Sequence, residues 1–119
     1  MLSRDINVES RSWCAVGKVD DESVCMITLH RPYLNYQELG WGCYHEYRNK
    51  GYTSGTLLKF LPILSRRLPG AIICATTMLD NIASQRTALG AGMVEAPLPL
   101  DFKSGWTTSR DIKYFYYPR

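Results

Sequence analysis

The alternation of apolar and polar positions in the first third of the chain predicts three strands. Residues 12–19 and 23–31 alternate, and the two aspartates between them are typical of a hairpin turn. Residues 37–44 are also strand-like but contain Gly40 and Gly42. Glycine within a strand often marks a bulge or the close approach of a ligand to the backbone. The third strand is therefore expected to contain either a bulge or a place where a ligand approaches the backbone.

From Thr53 the apolar spacing changes to that of a helix. Leucines recur every three or four residues, at Leu57, Leu61, Leu64 and Leu68. This stripe predicts a helix over residues 53–67 with one face on a core. Pro62 removes one helical hydrogen bond, at a cost of about 3 kcal/mol, so we expect a kink there or an early end to the helix.

The second half of the chain alternates strands with a helix. The pattern predicts a buried strand over 71–77, a helix over 81–89 capped by Asp80 or Asn81, an extended segment over 93–96, a loop over 97–108 and a final strand over 111–117. Antiparallel hairpins at both ends with one β-α-β crossover between them favour an α/β (α+β) fold with a single mixed sheet.

Composition excludes several classes of protein. The chain has 119 residues, 45% of them hydrophobic and 21% charged, with a net charge of +3, so we expect one globular domain over residues 1–119. No apolar run approaches the roughly 18–20 residues of a membrane span, and the N-terminus does not resemble a signal peptide. The four cysteines, Cys14, Cys25, Cys43 and Cys74, form no Cys-x-x-Cys pair, and we expect free thiols. These features predict a cytoplasmic protein with no membrane partner.

Metal and nucleic-acid sites are not expected either. His30 and His45 have no partner at metal-ligand spacing. The basic residues Arg48, Lys50, Arg66 and Arg67 lack the interleaved aromatic residues of a stacking surface.

The segment Arg48-Asn49-Lys50-Gly51-Tyr52-Thr53-Ser54-Gly55 connects a predicted strand to a predicted helix. It combines two cations and two hydroxyls with the unpaired amides of a helix N-terminus, which is the chemistry of a phosphate site. It matches neither the P-loop nor the Gly-x-Gly-x-x-Gly turn. A solvated turn is the alternative that the local pattern leaves open.

Two motifs resemble those of the GNAT N-acetyltransferase family. The stretch from Glu38-Leu39-Gly40-Trp41 to Tyr52 is similar to the acetyl-CoA motif, with Arg48, Gly51 and, imperfectly, Thr53 at its Arg/Gln-x-x-Gly-x-Gly/Ala positions. Residues 80–86 resemble the segment that opens the family's next helix. The closest resemblance is to the branch that acetylates N-terminal amines of ribosomal proteins. It implies a mostly antiparallel sheet with flanking helices, in which the strands at 37–44 and 71–77 are parallel and splay apart.

The resemblance also implies a site for acetyl-CoA as acyl donor. Backbone amides of the turn would hold the pyrophosphate, two cations would add charge, and a strand amide at Cys43 or Tyr44 would face the thioester oxygen. Asn81 would hold the pantetheine amide. The implied cofactor-binding residues are Cys43, Tyr44, Arg48, Asn49, Lys50, Gly51, Tyr52, Thr53, Ser54 and Asn81.

The family transfers the acyl group directly to an amine, which leaves two proton transfers for side chains. We expect Glu38 to act as the base through water, although it could be a solvated strand carboxylate, and Asp101 is a second candidate. The position of the tyrosine acid found in many relatives is Ala88 here. Ser84 is the expected substitute acid, its alternative role being a hydroxyl bonded to the helix backbone.

Family domains usually begin with a strand and two helices, whereas about eleven residues precede the predicted hairpin here. We therefore expect a shortened domain that forms a homodimer, with the partner covering a bare sheet edge and completing the acceptor pocket. The expected activity is acetyl transfer from acetyl-CoA to a primary amine, either a peptide N-terminus or a small molecule. The alternative is a non-catalytic acyl-CoA-binding or interaction module.

Overall fold

The computed structural model describes residues 6–119 and contains a single mixed sheet with two helices. In chain order its elements are β1 (Asn7–Ser10), β2 (Cys14–Val19), β3 (Glu22–Leu29), β4 (Tyr36–Cys43), α1 (Tyr52–Arg67), β5 (Ile72–Met78), α2 (Ile82–Gly90), β6 (Val94–Ala96) and β7 (Ile112–Tyr116), with a one-turn 3-10 helix at His45–Tyr47. The strand order is β1-β2-β3-β4-β5-β7-β6. Every neighbouring pair is antiparallel except β4 and β5. The predicted fold class is therefore confirmed.

Strand β1 was not expected from the sequence. It pairs antiparallel with β2, from Asn7 opposite Lys18 to Ser10 opposite Ala15. Its polar sequence shows no apolar alternation, because it is an edge strand held by backbone pairing and by an ion pair between Glu9 and Lys18, 2.8 Å from Oε1 to Nζ. The prediction that the hairpin begins the sheet with a bare edge is wrong, since β1 covers it.

Helix α1 continues through Pro62 to Arg67, in agreement with the helix predicted over residues 53–67; of the two effects expected of the proline, a kink or an early end, the early end does not occur. The missing proline N–H leaves the carbonyl of Leu58 without its helical donor, on a residue that is 54% exposed and can be hydrated. On the opposite face Leu57, Leu61 and Leu64 are completely buried. Burial of that face stabilises the helix on both sides of the proline.

The two faces of the sheet are covered differently. Side chains such as Leu39, Ile73 and Phe115 pack with α1 in the main core. On the other face the chain between β6 and β7 contributes Phe102, whose ring lies 5.1 Å from that of Tyr36 and 5.5 Å from that of Tyr114. This connection, residues 97–111, forms a second layer over β4, β5 and β7, and we call it the β6–β7 loop.

The parallel pair opens partway along its length, as predicted. β4 and β5 pair from Tyr36 opposite Ile72 to Leu39 opposite Ala75 and then separate. The rest of β4, from Gly40 to Cys43, remains paired with β3 alone. A stretch of β4 backbone therefore faces a V-shaped opening between the two strands.

No helix in the described part of the chain is long and apolar enough to cross a membrane.

Candidate active site

A cavity of about 860 Å³ lies between the open end of β4, the start of α1 and the start of α2. Eight of the ten predicted cofactor-binding residues line it: Cys43, Arg48, Asn49, Gly51, Tyr52, Thr53, Ser54 and Asn81. Tyr44 and Lys50 are not part of its lining, and both are exposed. The cavity also includes Trp41, Arg86 and Thr87, to which the sequence analysis assigned no role.

The backbone of β4 presents hydrogen-bonding groups to the opening. The Tyr44 N–H donates to the Val24 carbonyl at 3.2 Å, so of the two N–H groups expected to face a thioester, at Cys43 or Tyr44, only that of Cys43 remains available. N–H groups alternate sides along an antiparallel strand. Consequently the N–H groups of Cys43 and Trp41 point away from β3, into the opening.

The start of α1 is shaped by two left-handed residues. Asn49 and Gly51 have φ of 62° and 75°, and Gly51 is the N-cap. The first helical bond is donated by the Gly55 N–H to the Gly51 carbonyl at 3.0 Å, and no side chain caps the helix. The first turn carries no acidic residue. Its amides and its dipole therefore favour an anion.

Helix α2 is joined to this turn and to the cavity. The Ser54 Oγ donates to the Thr87 carbonyl at 3.0 Å, so its hydroxyl connects the two helices. Asn81 caps α2 by accepting from the Ser84 N–H at 3.1 Å through Oδ1. Its Nδ2 group remains as a donor at the cavity wall. Arg86 of α2 adds a second cation to the cavity that contains Arg48.

A smaller cavity of about 190 Å³ lies at the opening between β4 and β5. It is lined by His30, Leu39, Gly40, Trp41, Thr76, Ser84 and Trp106. Trp41 and Ser84 line both cavities, so the two spaces meet at these side chains.

Glu38 is buried behind the smaller cavity, with only 3% of its surface exposed. Its carboxylate accepts hydrogen bonds from Thr76 Oγ1 at 2.7 Å, from Ser104 Oγ at 2.9 Å and from the Gly105 N–H at 2.6 Å. The Trp106 Nε1 in turn donates to Thr76 Oγ1 at 2.7 Å. Glu38 is thus not a solvated strand carboxylate. For residues 104–106 the sequence pattern predicts only a loop.

Glu38 affects the pKa of its neighbour on β5. Burial, with the Glu38 carboxylate as a second cause, raises the pKa of the Cys74 thiol to about 12. Cys74 lies opposite Glu38 in the parallel pair. This thiol is therefore a neutral core group.

The other proposed acid–base residues have distinct environments. Within the described chain the Ser84 hydroxyl has no hydrogen-bond partner, so it is not bonded to the helix backbone. Asp101 accepts a hydrogen bond from the Tyr36 hydroxyl at 2.8 Å and lines neither cavity. Ala88 is fully buried. Residues 6–119 contain no group of three histidine, cysteine or acidic side chains placed to hold a metal ion.

Solved structures share this fold. A GNAT-family acetyltransferase from Bacillus anthracis is 22% identical, with a TM-score of 0.67 over 87% of this chain and 64% of its own. An acetyltransferase from Agrobacterium tumefaciens is 17% identical, with a TM-score of 0.72 over 89% of this chain and 60% of its own. RimL, a ribosomal-protein alpha-N acetyltransferase in complex with coenzyme A, is 13% identical, with a TM-score of 0.66 over 87% of this chain and 59% of its own. The chain thus spans less than two thirds of these relatives, and the likeness is one of fold.

No curated protein sequence matches the chain. A family model described as an acetyltransferase (GNAT) domain matches residues 2–94, which is well over half of it. The matched residues include the splayed β4–β5 pair and the start of α1 with its free amides. The chain therefore belongs to the GNAT acetyltransferase family.

Proposed function

We propose that the protein transfers an acetyl group from acetyl-CoA to a primary amine, at a peptide N-terminus or on a small molecule. The observation that carries the proposal is that the two cavities meet at Trp41 and Ser84. They meet beside the part of β4 that pairs with β3 but no longer with β5. A thioester in the larger cavity would there be within reach of an amine in the smaller one.

The larger cavity suits coenzyme A in its charge and in its backbone groups. The amides from Asn49 to Ser54 and the helix dipole of α1 would bind the pyrophosphate, with Arg48 and Arg86 adding charge. Lys50, exposed outside the cavity lining, would act on the phosphates only through longer-range charge. The Asn81 Nδ2 would donate to a pantetheine carbonyl.

The open backbone of β4 suits the rest of the donor. The pantetheine arm would pair with it as a strand does, and the Cys43 N–H would stabilise the oxyanion that forms on the thioester oxygen. Removal of one such donor typically lowers kcat by about 10²–10³-fold. The N–H of Trp41, two residues earlier in β4, points into the same opening and would be a second donor to the acyl donor.

The two sides of the opening suit the two proton transfers. Ser84, at the junction of the cavities, would protonate the leaving thiolate. Glu38 lies on the amine side, where its buried carboxylate would support the base that takes the proton from the amine. The smaller cavity, at about 190 Å³, is close in size to one that holds a benzene-sized group. It would admit only the amine-bearing end of the acceptor.

The proposal is tested by titrating the full chain with acetyl-CoA in a calorimeter and by assaying acetyl transfer to peptides with free N-termini and to alkylamines. We expect saturable binding and release of free thiol that depends on the amine. Binding without turnover on any amine would favour the acyl-CoA-binding module instead. No binding would contradict both functions.

The double variant Arg48→Ala with Gly51→Val should weaken acetyl-CoA binding while the chain stays folded. Arg48 loses a charge-assisted phosphate contact of about 1.5–3 kcal/mol. Valine at position 51 must adopt a φ of 75°, which favours glycine. Arg66→Ala is the matched control, since Arg66 is exposed near the end of α1 and lines neither cavity. An unchanged Kd in a folded double variant would contradict the phosphate site.

We also propose a homodimer and a cytoplasmic location. Among residues 6–119, β1 is the last strand at its end of the sheet and pairs only with β2, and Trp13, beside the β1–β2 turn, is 57% exposed. The free cysteines Cys14, Cys25, Cys43 and Cys74 fit a reducing compartment.

A further inference from the structure

His30 follows β3 and has a fixed backbone. Its N–H donates to the Glu38 carbonyl at 3.0 Å, and its carbonyl accepts from the Gln37 Nε2 at 2.8 Å. Both groups hold the residue against the start of the β4–β5 opening.

The imidazole lies in a slot between two glycines. A Cβ added to Gly40 would lie 2.9 Å from the His30 Nε2, and one added to Gly105 would lie 3.1 Å from its Cβ and 3.2 Å from its Cγ. The ring therefore occupies space that any other residue at either position would fill. Gly40 is the first β4 residue beyond the parallel pairing, so Nε2 lies where the strands begin to separate.

The ring nitrogens form no hydrogen bond with any group in residues 6–119, although the ring lines the smaller cavity. Glu38 differs in this respect, because its two oxygens already accept bonds from three donors and it does not line that cavity. Both side chains border Gly105, whose added Cβ would also lie 3.5 Å from Glu38 Oε1. The imidazole thus lines the cavity and borders the same glycine as the buried carboxylate.

We infer that His30 is the residue that takes the proton from the acceptor amine, with Glu38 stabilising the imidazolium that results. The inference rests on the proposed acetyl transfer and assigns its amine-side base. Imidazole is the side chain best suited to exchange protons near neutral pH.

The lone pair of the neutral amine forms the new C–N bond with the thioester carbon, and the C–S bond breaks with its electron pair going to sulfur. The amine nitrogen, positively charged after attack, gives one proton to the His30 Nε2. The thiolate takes a proton from Ser84, and the serine and the histidine return to their starting states by exchange with solvent.

The first test compares the full chain with its His30→Gln variant, using His45→Gln as the matched control. His45 is exposed on the 3-10 helix and lines neither cavity. For His30→Gln we expect an unchanged Kd for acetyl-CoA and a kcat lower by about 10²-fold or more. A variant that keeps the parent kcat would overturn the inference while leaving acetyl transfer intact.

A second test does not depend on turnover. The ring C–H signals of the two histidines are assigned by their absence from the spectra of the two variants. Adding n-butylamine or an alanyl peptide amide to the protein saturated with coenzyme A should shift the His30 signals and leave those of His45 in place. If the amines acetylated by the parent protein leave the His30 signals unmoved at saturation, the inference is wrong. If no acetylation occurs and the signals do not move, the proposed function fails with it.

Discussion

At the scale of single residues, the decisive feature is a buried carboxylate that, among residues 6–119, has no cationic partner in direct contact. Glu38 is held there by two hydroxyls and one backbone amide. Charge-assisted hydrogen bonds of this kind offset part of the cost of burying a carboxylate. The arrangement therefore fixes the carboxylate behind the smaller cavity.

Glu38→Gln should lower the free energy of unfolding by about 1–3 kcal/mol. The amide replaces an acceptor oxygen by an NH₂ group, which cannot accept from the donors that surround the carboxylate. Urea denaturation followed by fluorescence measures the change. Glu46→Gln, on the exposed 3-10 helix, serves as the control and should change stability by less than about 0.5 kcal/mol. Equal stabilities for the two variants would mean that the network does not hold Glu38.

At the scale of elements, the position of α1 on the sheet depends on one glycine of β2. A Cβ on Gly17 would overlap the Thr56 Oγ1 and lie 2.8 Å from the Cys25 Sγ. That hydroxyl donates to the Tyr52 carbonyl at 2.8 Å and contacts the Cys25 sulfur at 3.2 Å. The first turns of α1, which form the proposed phosphate site, are therefore placed by close packing on β2 and β3.

Gly17→Ala should destabilise the fold by about 1–3 kcal/mol through overpacking and should also weaken acetyl-CoA binding, because α1 must move outward. Gly70→Ala is the matched control, since a Cβ there meets nothing within 4 Å and its φ is not positive. Thermal unfolding and calorimetric titration measure the two effects. A Gly17→Ala protein as stable as the control would show that α1 has room to adjust.

At the scale of the whole molecule, the β6–β7 loop acts as a structural layer. Its Phe102 is buried against Tyr36 and Tyr114, and its residues 104–106 are bonded to Glu38 and Thr76. A segment without regular secondary structure thus covers one sheet face and, through Trp106, forms part of the wall of the smaller cavity.

The raised pKa values of two groups that pack with this loop predict a loss of stability at alkaline pH. Burial is the main cause that raises the pKa of Cys74 and of Tyr36 to about 12 each, with Glu38 and Asp101 adding to the effect. Above the ordinary pKa values of these groups the unfolded chain releases protons that the folded chain keeps. The free energy of unfolding therefore falls as the pH rises from about 9 towards 12. Urea titrations across this range measure the slope, which should be smaller in Cys74→Ala; an identical slope would contradict this account.

The proposed homodimer is tested by sedimentation equilibrium at micromolar concentration. Trp13→Ser should shift the protein towards the monomer, because it removes apolar surface beside the unpaired β1 edge. Leu100→Ser is the control, since Leu100 is 97% exposed on the β6–β7 loop and far from β1 in the sheet order. A parent protein that remains monomeric would refute the dimer.

Local pattern was sufficient for much of the fold and for the donor side of the site. The leucine stripe of α1, the two aspartates of the β2–β3 turn and the Asn81 cap each act within a few residues, so the chain order alone reveals them. The same holds for the turn from Arg48 to Ser54, since its chemistry comes from backbone amides next to each other in sequence. Eight of the ten predicted cofactor-binding residues line one cavity, and six of these eight belong to the turn.

Contacts between distant segments required the tertiary structure. β1 was missed because an edge strand is held by pairing and carries no apolar alternation of its own. Trp41 and Arg86 were missed because only the opening between β4 and β5 brings them to the donor cavity. The sequence by itself therefore determined the order of elements and the start of the donor site. The smaller cavity, where Gly105 bonds to Glu38 across 67 residues of chain and also borders His30, was decided only by packing, since no local pattern encodes which side chain a distant loop will cover.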